Sequence, residues 1–235
     1  SAERAAERMR VDFVANASHE LRTPIATIAG YAETLAEDGA VDDDTRRRFG
    51  AVIHAEARRM LRIVEDLMSL SRIEAERFVA PRERVDLAEV ARLAIDHAGP
   101  LIERHGCLVK LDAEEGMPAV AGDFAQLLQT LDNLLANAIR YGCRERGAPI
   151  AIEVRGDDGR ALLAVRDQGE GIAAEHLPRL TERFYRVDAA RSRDSGGTGL
   201  GLAIVKHIVE RHRGTLDIRS TPGRGTSVEV RLPFA

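Results

Sequence analysis

The stretch 13-FVANASHELRTPIATIAGYAETL-35 gathers a histidine, a glutamate, a threonine and a proline at neighbouring helical positions. Residues three and four apart share a helix face, so His19 and Thr23 lie together, as do Glu20 and Thr23. A neutral imidazole carries a free ring lone pair near neutral pH, and an adjacent carboxylate can orient the ring and take its proton. Those are the requirements of a nucleophilic histidine. Pro24 has no N–H, which leaves the Glu20 carbonyl without its helical partner and predicts a bent or loosened helix just after the histidine. An ordinary surface histidine beside an incidental kink accounts for the same spacing. The other six histidines show no metal-ligand spacing and read as structural or solvated.

Three further stretches can hold a ligand. Asn133 and Asn137 stand four apart with Arg140 about a turn beyond, so two amide oxygens and a guanidinium can meet one magnesium–polyphosphate group, against the plain alternative of a polar helix face. In 167-DQGEGI-172 a carboxylate at a strand end can accept from an exocyclic amine. Gly169 and Gly171 let the backbone approach a flat base there, unless this is only a turn. The run 196-GGTGLGLAIVK-206 puts glycines at a helix entrance, where free N–H groups attract phosphate. It is neither a Walker A loop nor a dinucleotide fingerprint. Arg183, Arg186, Arg191 and Arg193 precede it in a polar run that reads as a lid over phosphates.

The elements that must position these groups follow from periodicity. Val11, Val14, Leu21, Ile25, Ile28, Ala32 and Leu35 keep a 3,4 alternation, which predicts a coiled-coil-like helix to about residue 38. After the acidic turn 37-EDGAVDDDT-45, with Thr45 as the expected cap, a second helix to about residue 75 carries Phe49, Ile53, Met60, Ile63, Leu67 and Leu70 on its seam, with Glu56 as the polar exception. A helical hairpin cannot cover an apolar seam on both members, and a second copy would complete a four-helix bundle. The stretch 76-ERFVAPRER-84 reads as a linker. Beyond it come a helix over 86–105, a short strand over 108–111, an amphipathic helix over 123–142 closed by Gly142, a hairpin over 150–167 around Asp158-Gly159, a helix over 199–213, and strands over 215–220 and 226–233. Helices with antiparallel strands predict a two-layer α/β sandwich.

Composition narrows the classes. The 235 residues are 44% hydrophobic and 31% charged, as expected of a folded protein. With 34 basic and 38 acidic residues interleaved, the net charge of −4 gives no field that invites nucleic acid. Cys107 and Cys143 signal neither a disulfide framework nor zinc, so a reducing, cytoplasmic setting is expected. No apolar run is long enough to span a bilayer, and the chain reads as an excised soluble fragment.

In this order, the segments resemble the sensor histidine kinases of two-component systems over nearly the whole chain. The stretch 18-SHELRTP-24 is similar to the H box and 133-NLLANAIRY-141 to the N box; 182-ERFYR-186 is similar to the F box, and 167-DQGEGI-172, 197-GTGLG-201 and 223-GRGT-226 to the three glycine boxes. The resemblance implies a dimerisation and phosphotransfer hairpin over 1–76, a linker over 77–85 and a Bergerat-type ATP-binding α/β sandwich over 86–235. It implies ATP and Mg2+ as ligands, His19 as phosphate acceptor, Glu20 as base and Thr23 as the residue that orients water for dephosphorylating a response regulator. Asn137 would be the metal ligand, Asn133 and Arg140 phosphate-side contacts, and Asp167 the adenine reader. Gly197, Gly199 and Gly201 would hinge the lid, with Tyr141, Gly169, Gly171, Ile172, Phe184, Arg186, Thr198, Leu200 and Thr226 lining the nucleotide site. The partners implied are a second copy through the hairpin and a response-regulator receiver domain, with no nucleic acid. The chain would be the cytoplasmic portion of a bacterial inner-membrane sensor, reaching the membrane only through segments absent from it. The flanks of the H box and the LSRIEA end of the second helix are similar to phosphate-regulon sensor kinases. Thr181 stands where many relatives have the first Phe of the F box, and Arg140 where Lys is common. Other ATPases of the fold lack the H-box hairpin, and a catalytically silent ATP-binding scaffold is the competing reading.

Overall fold

The computed structural model describes residues 2–37, 41–187 and 197–235. They fall into two compact units divided between Met68 and Ser69. In the first, α1 (Ala2–Ala36) and most of α2 (Asp43–Ala75) form the hairpin. Tyr31 meets Phe49 edge to face with ring centroids 4.7 Å apart, and Glu20 meets Arg59 at 3.0 Å. These pairs step in opposite directions along the two helices, which fixes an antiparallel register. The α2 cap is Asp42 rather than Thr45. Its Oδ1 accepts the Thr45 N–H at 2.9 Å, its Oδ2 accepts the Thr45 hydroxyl at 2.8 Å, and its carbonyl receives the Arg46 N–H. Asp42 therefore stands one position before the helix begins, where its carboxylate can reach the third free amide. Val11, Val14 and Ile25 of α1 and Leu61, Val64 and Met68 of α2 are exposed, an apolar stripe that the hairpin itself does not cover.

The second unit includes the end of α2 from Ser69 onward. Residues 83–85, expected at the end of a linker, are instead β1 (Glu83–Val85), paired antiparallel with β3 (Val120–Gly122). Three residues are too few for an alternation to show in the sequence. Helix α3 (Leu87–His105) starts on Asp86, whose side chain accepts the amides of Ala88 and Glu89, and ends on Gly106 at φ 72°. A five-stranded sheet runs β2 (Leu108–Ala113), β4 (Pro149–Asp157), β5 (Arg160–Asp167), β7 (Gly225–Pro233), β6 (Thr215–Thr221). Its β2–β4 pair is parallel, a departure from the expected antiparallel set. The β4–β5 turn has Asp158 at φ 48° and Gly159 at φ 75°, the left-handed pair that a tight hairpin requires.

Alternate residues Ile150, Ile152, Val154, Ala161, Leu163, Val165, Val230 and Leu232 face α3, α4 (Phe124–Asn137) and α5 (Gly201–Arg211) in one buried core. The opposite face carries a ladder of charges in which Glu153, Arg166, Glu229, Arg231 and Asp157 pair in succession across β4, β5 and β7. His212 is buried and satisfied as a structural histidine: Nε2 accepts the Asp123 amide, so Nδ1–H donates to the Ile208 carbonyl. Among the described residues no helix is long and apolar enough to cross a membrane.

The structure joins Cys107 to Cys143 in a disulfide, their Cα atoms 5.8 Å apart, where no disulfide was expected. A separation of 36 residues and a single pair carry no spacing pattern. Only the fold brings the start of β2 to the end of the N-box segment.

Candidate nucleotide and phosphoacceptor sites

Helix α4 begins on Asp123, whose carboxylate accepts the Gln126 amide at 3.1 Å, and buries Leu127, Leu131, Leu134 and Leu135 on its core side. Asn133 and Asn137 occupy its half-buried flank. At Asn137 the helix does not continue to Gly142 as the sequence pattern predicts; residues Ala138–Gly142 form a π-helical turn. A widened turn places Arg140 and Tyr141 differently around the axis from an α-helical continuation, and such turns concentrate at functional sites. Arg140 is half-buried and Tyr141 is 46% exposed. No sequence signal marks this change of pitch.

The π-turn packs on the end of β5. A Cβ on Gly142 would overlap the Asp167 side chain, and one on Gly169 would overlap the Tyr141 carbonyl. Asp167 Oδ1 accepts the Gly169 amide at 2.9 Å and the Thr226 amide at 3.3 Å. Burial pushes the Asp167 carboxyl above the usual carboxylate range, with those two amides pulling it back. Ser220 braces the next turn, accepting the Ile172 amide at 2.8 Å, donating to the Gly225 carbonyl and meeting the Thr226 hydroxyl at 2.8 Å. Gly171, at φ 68°, lies against the Thr221 carbonyl so closely that no side chain fits. Gly225 belongs to the third glycine box, whereas nothing in the sequence marks Ser220, since a lone Ser in a strand carries no such signal.

The glycine run enters α5 beside the N box. Asn133 Nδ2 donates to the Gly201 carbonyl at 3.4 Å. Phe184, at φ 64°, donates its amide to the Gly199 carbonyl at 2.8 Å, and Arg186 donates to the Thr198 carbonyl at 2.9 Å. Thr198 Oγ1 in turn accepts the Leu200 amide at 3.2 Å. The F box and the second glycine box are thus tied at both ends of the segment between them, with Gly197 half-buried alongside. Arg183, expected over phosphates, is paired with Glu74. Arg191, Arg193 and Gly196 lie outside the described residues.

The second unit therefore holds two contact groups: Asp167, Gly169 and Thr226, with Ile172 tied in through Ser220 and Gly171 against Thr221, and Asn133, Phe184, Arg186, Thr198, Gly199, Leu200 and Gly201, where the glycine run meets the N and F boxes. His19, Glu20 and Thr23 belong to the first unit. There His19 is exposed, Glu20 half-buried, and the Thr23 hydroxyl donates to the His19 carbonyl at 3.4 Å. Helix α1 runs unbroken through Pro24, which is buried.

Two known families match. The His Kinase A (phospho-acceptor) domain matches residues 9–76, and the family of histidine kinase-, DNA gyrase B-, and HSP90-like ATPases matches residues 122–235. Over 225 residues, 94% of this chain, the sequence is 43% identical to the phosphate regulon sensor protein PhoR of Pseudomonas aeruginosa. It is 38% identical over 97% of the chain to the sensor-like histidine kinase SenX3 of Mycolicibacterium smegmatis. The chain belongs to the sensor histidine kinases.

It spans about half the length of these curated relatives, 49% of PhoR and 58% of SenX3. The fold is that of solved histidine kinases. The Acinetobacter baumannii histidine kinase AdeS matches with a TM-score of 0.70 at 24% identity, covering 92% of this chain and 98% of that one. A mycobacterial sensor histidine kinase, MprB, covers 65% of this chain at 28% identity with a TM-score of 0.55. Of the two departures from the family motifs, Thr181 is half-buried in a turn and Arg140 is half-buried in the π-helical turn; the retained Phe184 donates its amide to the Gly199 carbonyl.

Proposed function

We propose that this chain is the kinase core of a two-component sensor, which transfers the γ-phosphoryl group of Mg-ATP to His19 and passes it to an aspartate of a response-regulator receiver domain. The observation that carries the reading is the Asp167 carboxylate braced by two backbone amides in an ATPase-family unit, in the same chain as an exposed histidine followed by a carboxylate in a phospho-acceptor hairpin. The residues present fit a nucleotide. Asp167 offers an acceptor for the 6-amino group of adenine, and Gly142 and Gly169 have no room for a Cβ, so backbone lies flush beside that carboxylate. The donor chemistry fits Mg2+ also, since the ion takes oxygen ligands and keeps water and phosphate oxygens as most of them, so that one amide oxygen from α4 is enough protein contribution. Asn137 would supply the protein oxygen, and the bound ion would neutralise charge on the phosphates.

In this reading Asn133 and Arg140 hold the phosphates, Tyr141 and Ile172 flank the base, and Gly197, Gly199 and Gly201 hinge the segment that Phe184 and Arg186 anchor. A His19 ring nitrogen attacks the γ-phosphorus, the bond to the β–γ bridging oxygen breaks, ADP leaves, and Glu20 takes the ring proton. Such transfer depends on positioning and charge neutralisation. The exposed stripe of Val11, Val14, Ile25, Leu61, Val64 and Met68 supports a homodimer through the hairpin. The proposed division is a phosphotransfer hairpin over 1–76, a connection over 77–85 and an ATP-binding domain over 86–235, on the cytoplasmic side of a bacterial inner-membrane sensor. A phosphatase activity toward the regulator rests on Thr23, one turn beyond His19.

The test is incubation with γ-labelled ATP and Mg2+. Acid-labile, alkali-stable label is expected on the parent and absent from His19→Ala and Asn137→Ala; label that persists in His19→Ala overturns the reading. Thr23→Ala is expected to keep autophosphorylation while slowing dephosphorylation of a phosphorylated regulator at least tenfold, on the order of one positioned group. Unchanged dephosphorylation would remove the phosphatase assignment alone.

A further inference from the structure

Arg59 is buried in the hairpin, with its side chain 7% exposed. Its Nη2 donates to Glu20 Oε2 at 3.0 Å across the two helices, and Glu56 lies on its other side at 3.8 Å, one turn back along α2. Among the described residues, Arg59 Nε and Glu56 Oε2 are buried without a hydrogen bond. A buried guanidinium with an unsatisfied N–H costs free energy, and apolar residues of similar volume would serve the hairpin at least as well. Stability therefore gives no reason for an arginine here. What the arginine does achieve is to sit between two carboxylates, hydrogen-bonded to the one on the residue next to His19 and 3.8 Å from that of Glu56.

We propose that Arg59 is a positioning residue for phosphoryl transfer to His19: its guanidinium fixes the Glu20 carboxylate at one place on α1, from which it receives the imidazole proton. This rests on the kinase reading above. An exposed glutamate samples several rotamers, whereas one tied to a buried, rigid fork loses that freedom before the reaction begins. Arg59 itself touches neither phosphate nor imidazole in this role. Its effect passes wholly through Glu20, and that dependence can be measured.

The experiment is a double-mutant cycle on the whole chain, read as autophosphorylation rate against ATP concentration. Arg59→Met is expected to lower kcat about tenfold, a fraction of the roughly 10²–10⁴-fold that a positioned base contributes because Glu20 itself stays in place, and to leave KM for ATP within about twofold. Arg59→Lys, which keeps the charge but loses the fork, is expected to recover part of the rate. In a Glu20→Gln background, Arg59→Met and Arg59→Lys are expected to cause no further loss. A loss of the same factor in both backgrounds, or a raised KM, would overturn the inference and leave Arg59 a structural residue. Should Arg59→Met fail to fold by circular dichroism, the cycle with Arg59→Lys decides by the same criterion. The two readings fail differently: a parent chain that never labels His19 defeats the kinase assignment, while normal labelling with an additive cycle defeats only the role of Arg59.

Discussion

Asp167→Asn is expected to weaken ATP binding by about 10- to 150-fold while leaving the second unit at least as stable as the parent at pH 7. The loss follows from which atoms donate. Asp167 Oδ1 is already occupied by the amides of Gly169 and Thr226, and an asparagine oxygen can keep both bonds. In the proposed reading the remaining atom then becomes an NH2 group, which would face the adenine amine donor to donor where the carboxylate oxygen would accept. A hydrogen bond to a charged group contributes about 1.5–3 kcal/mol, and that range sets the expected factor. The stability half follows from burial, the largest cause acting on this carboxyl, which raises its pKa in the folded state. A raised folded pKa means that the folded protein holds the proton more tightly than the unfolded chain. The stabilising contribution is fully present below the unfolded value near 3.8 and is lost as pH rises through the folded value. At neutral pH the ionised carboxylate is therefore a burden that the amide escapes. Titration calorimetry gives the affinity, and thermal melts of the nucleotide-free protein from pH 4 to pH 8 should show the variant's advantage growing as pH rises. Unchanged ATP affinity would remove Asp167 from the base-reading role.

Where an interaction is local, the sequence already carried it. The hairpin follows from 3,4 alternation, the Asp158-Gly159 turn from its two positive-φ positions, and the α4 start from Asp123. The glycine boxes were legible because a backbone that must approach another backbone leaves glycine as its trace. Long-range interactions left no such trace. The parallel pairing of β2 with β4 depends on α3 bringing β2 to that edge, and the Cys107–Cys143 bond depends on the same placement. The π-turn after Asn137 has helical composition throughout, so only its packing against Asp167 reveals the altered pitch. Arg59 reads in the sequence as one more solvated charge on a long helix. Its partner is 39 residues away, and nothing in the α2 pattern distinguishes it from Arg58. Asp42 and Thr45 are both ordinary caps. Which one begins the helix was decided by a single carbonyl accepting the Arg46 amide.

The third glycine box holds two glycines with different obligations, and Gly225→Ala is expected to cost about 2–5 kcal/mol where Gly223→Ala costs about 1–2 kcal/mol. Both have positive φ, 77° at Gly223 and 94° at Gly225, so each alanine meets backbone strain of about 1–2 kcal/mol. At Gly223 nothing lies within 4 Å of the added methyl, and strain is the whole effect. At Gly225 the methyl would overlap the Asp167 carbonyl oxygen and come within 2.7 Å of Gln168 Cα. Those atoms are backbone at the end of β5 and cannot rotate away, so the overlap is relieved only by parting β7 from β5. Forcing extra atoms into a packed site adds about 1–3 kcal/mol, a large share of the 5–15 kcal/mol that holds a typical domain together. The function would suffer along the same route, because the Thr226 amide that braces Asp167 sits on the next residue. Urea denaturation of the two variants is the measurement, with ATP affinity taken where the protein remains folded. Equal losses at both positions would mean that strain alone governs the turn and that the close approach to Asp167 contributes nothing.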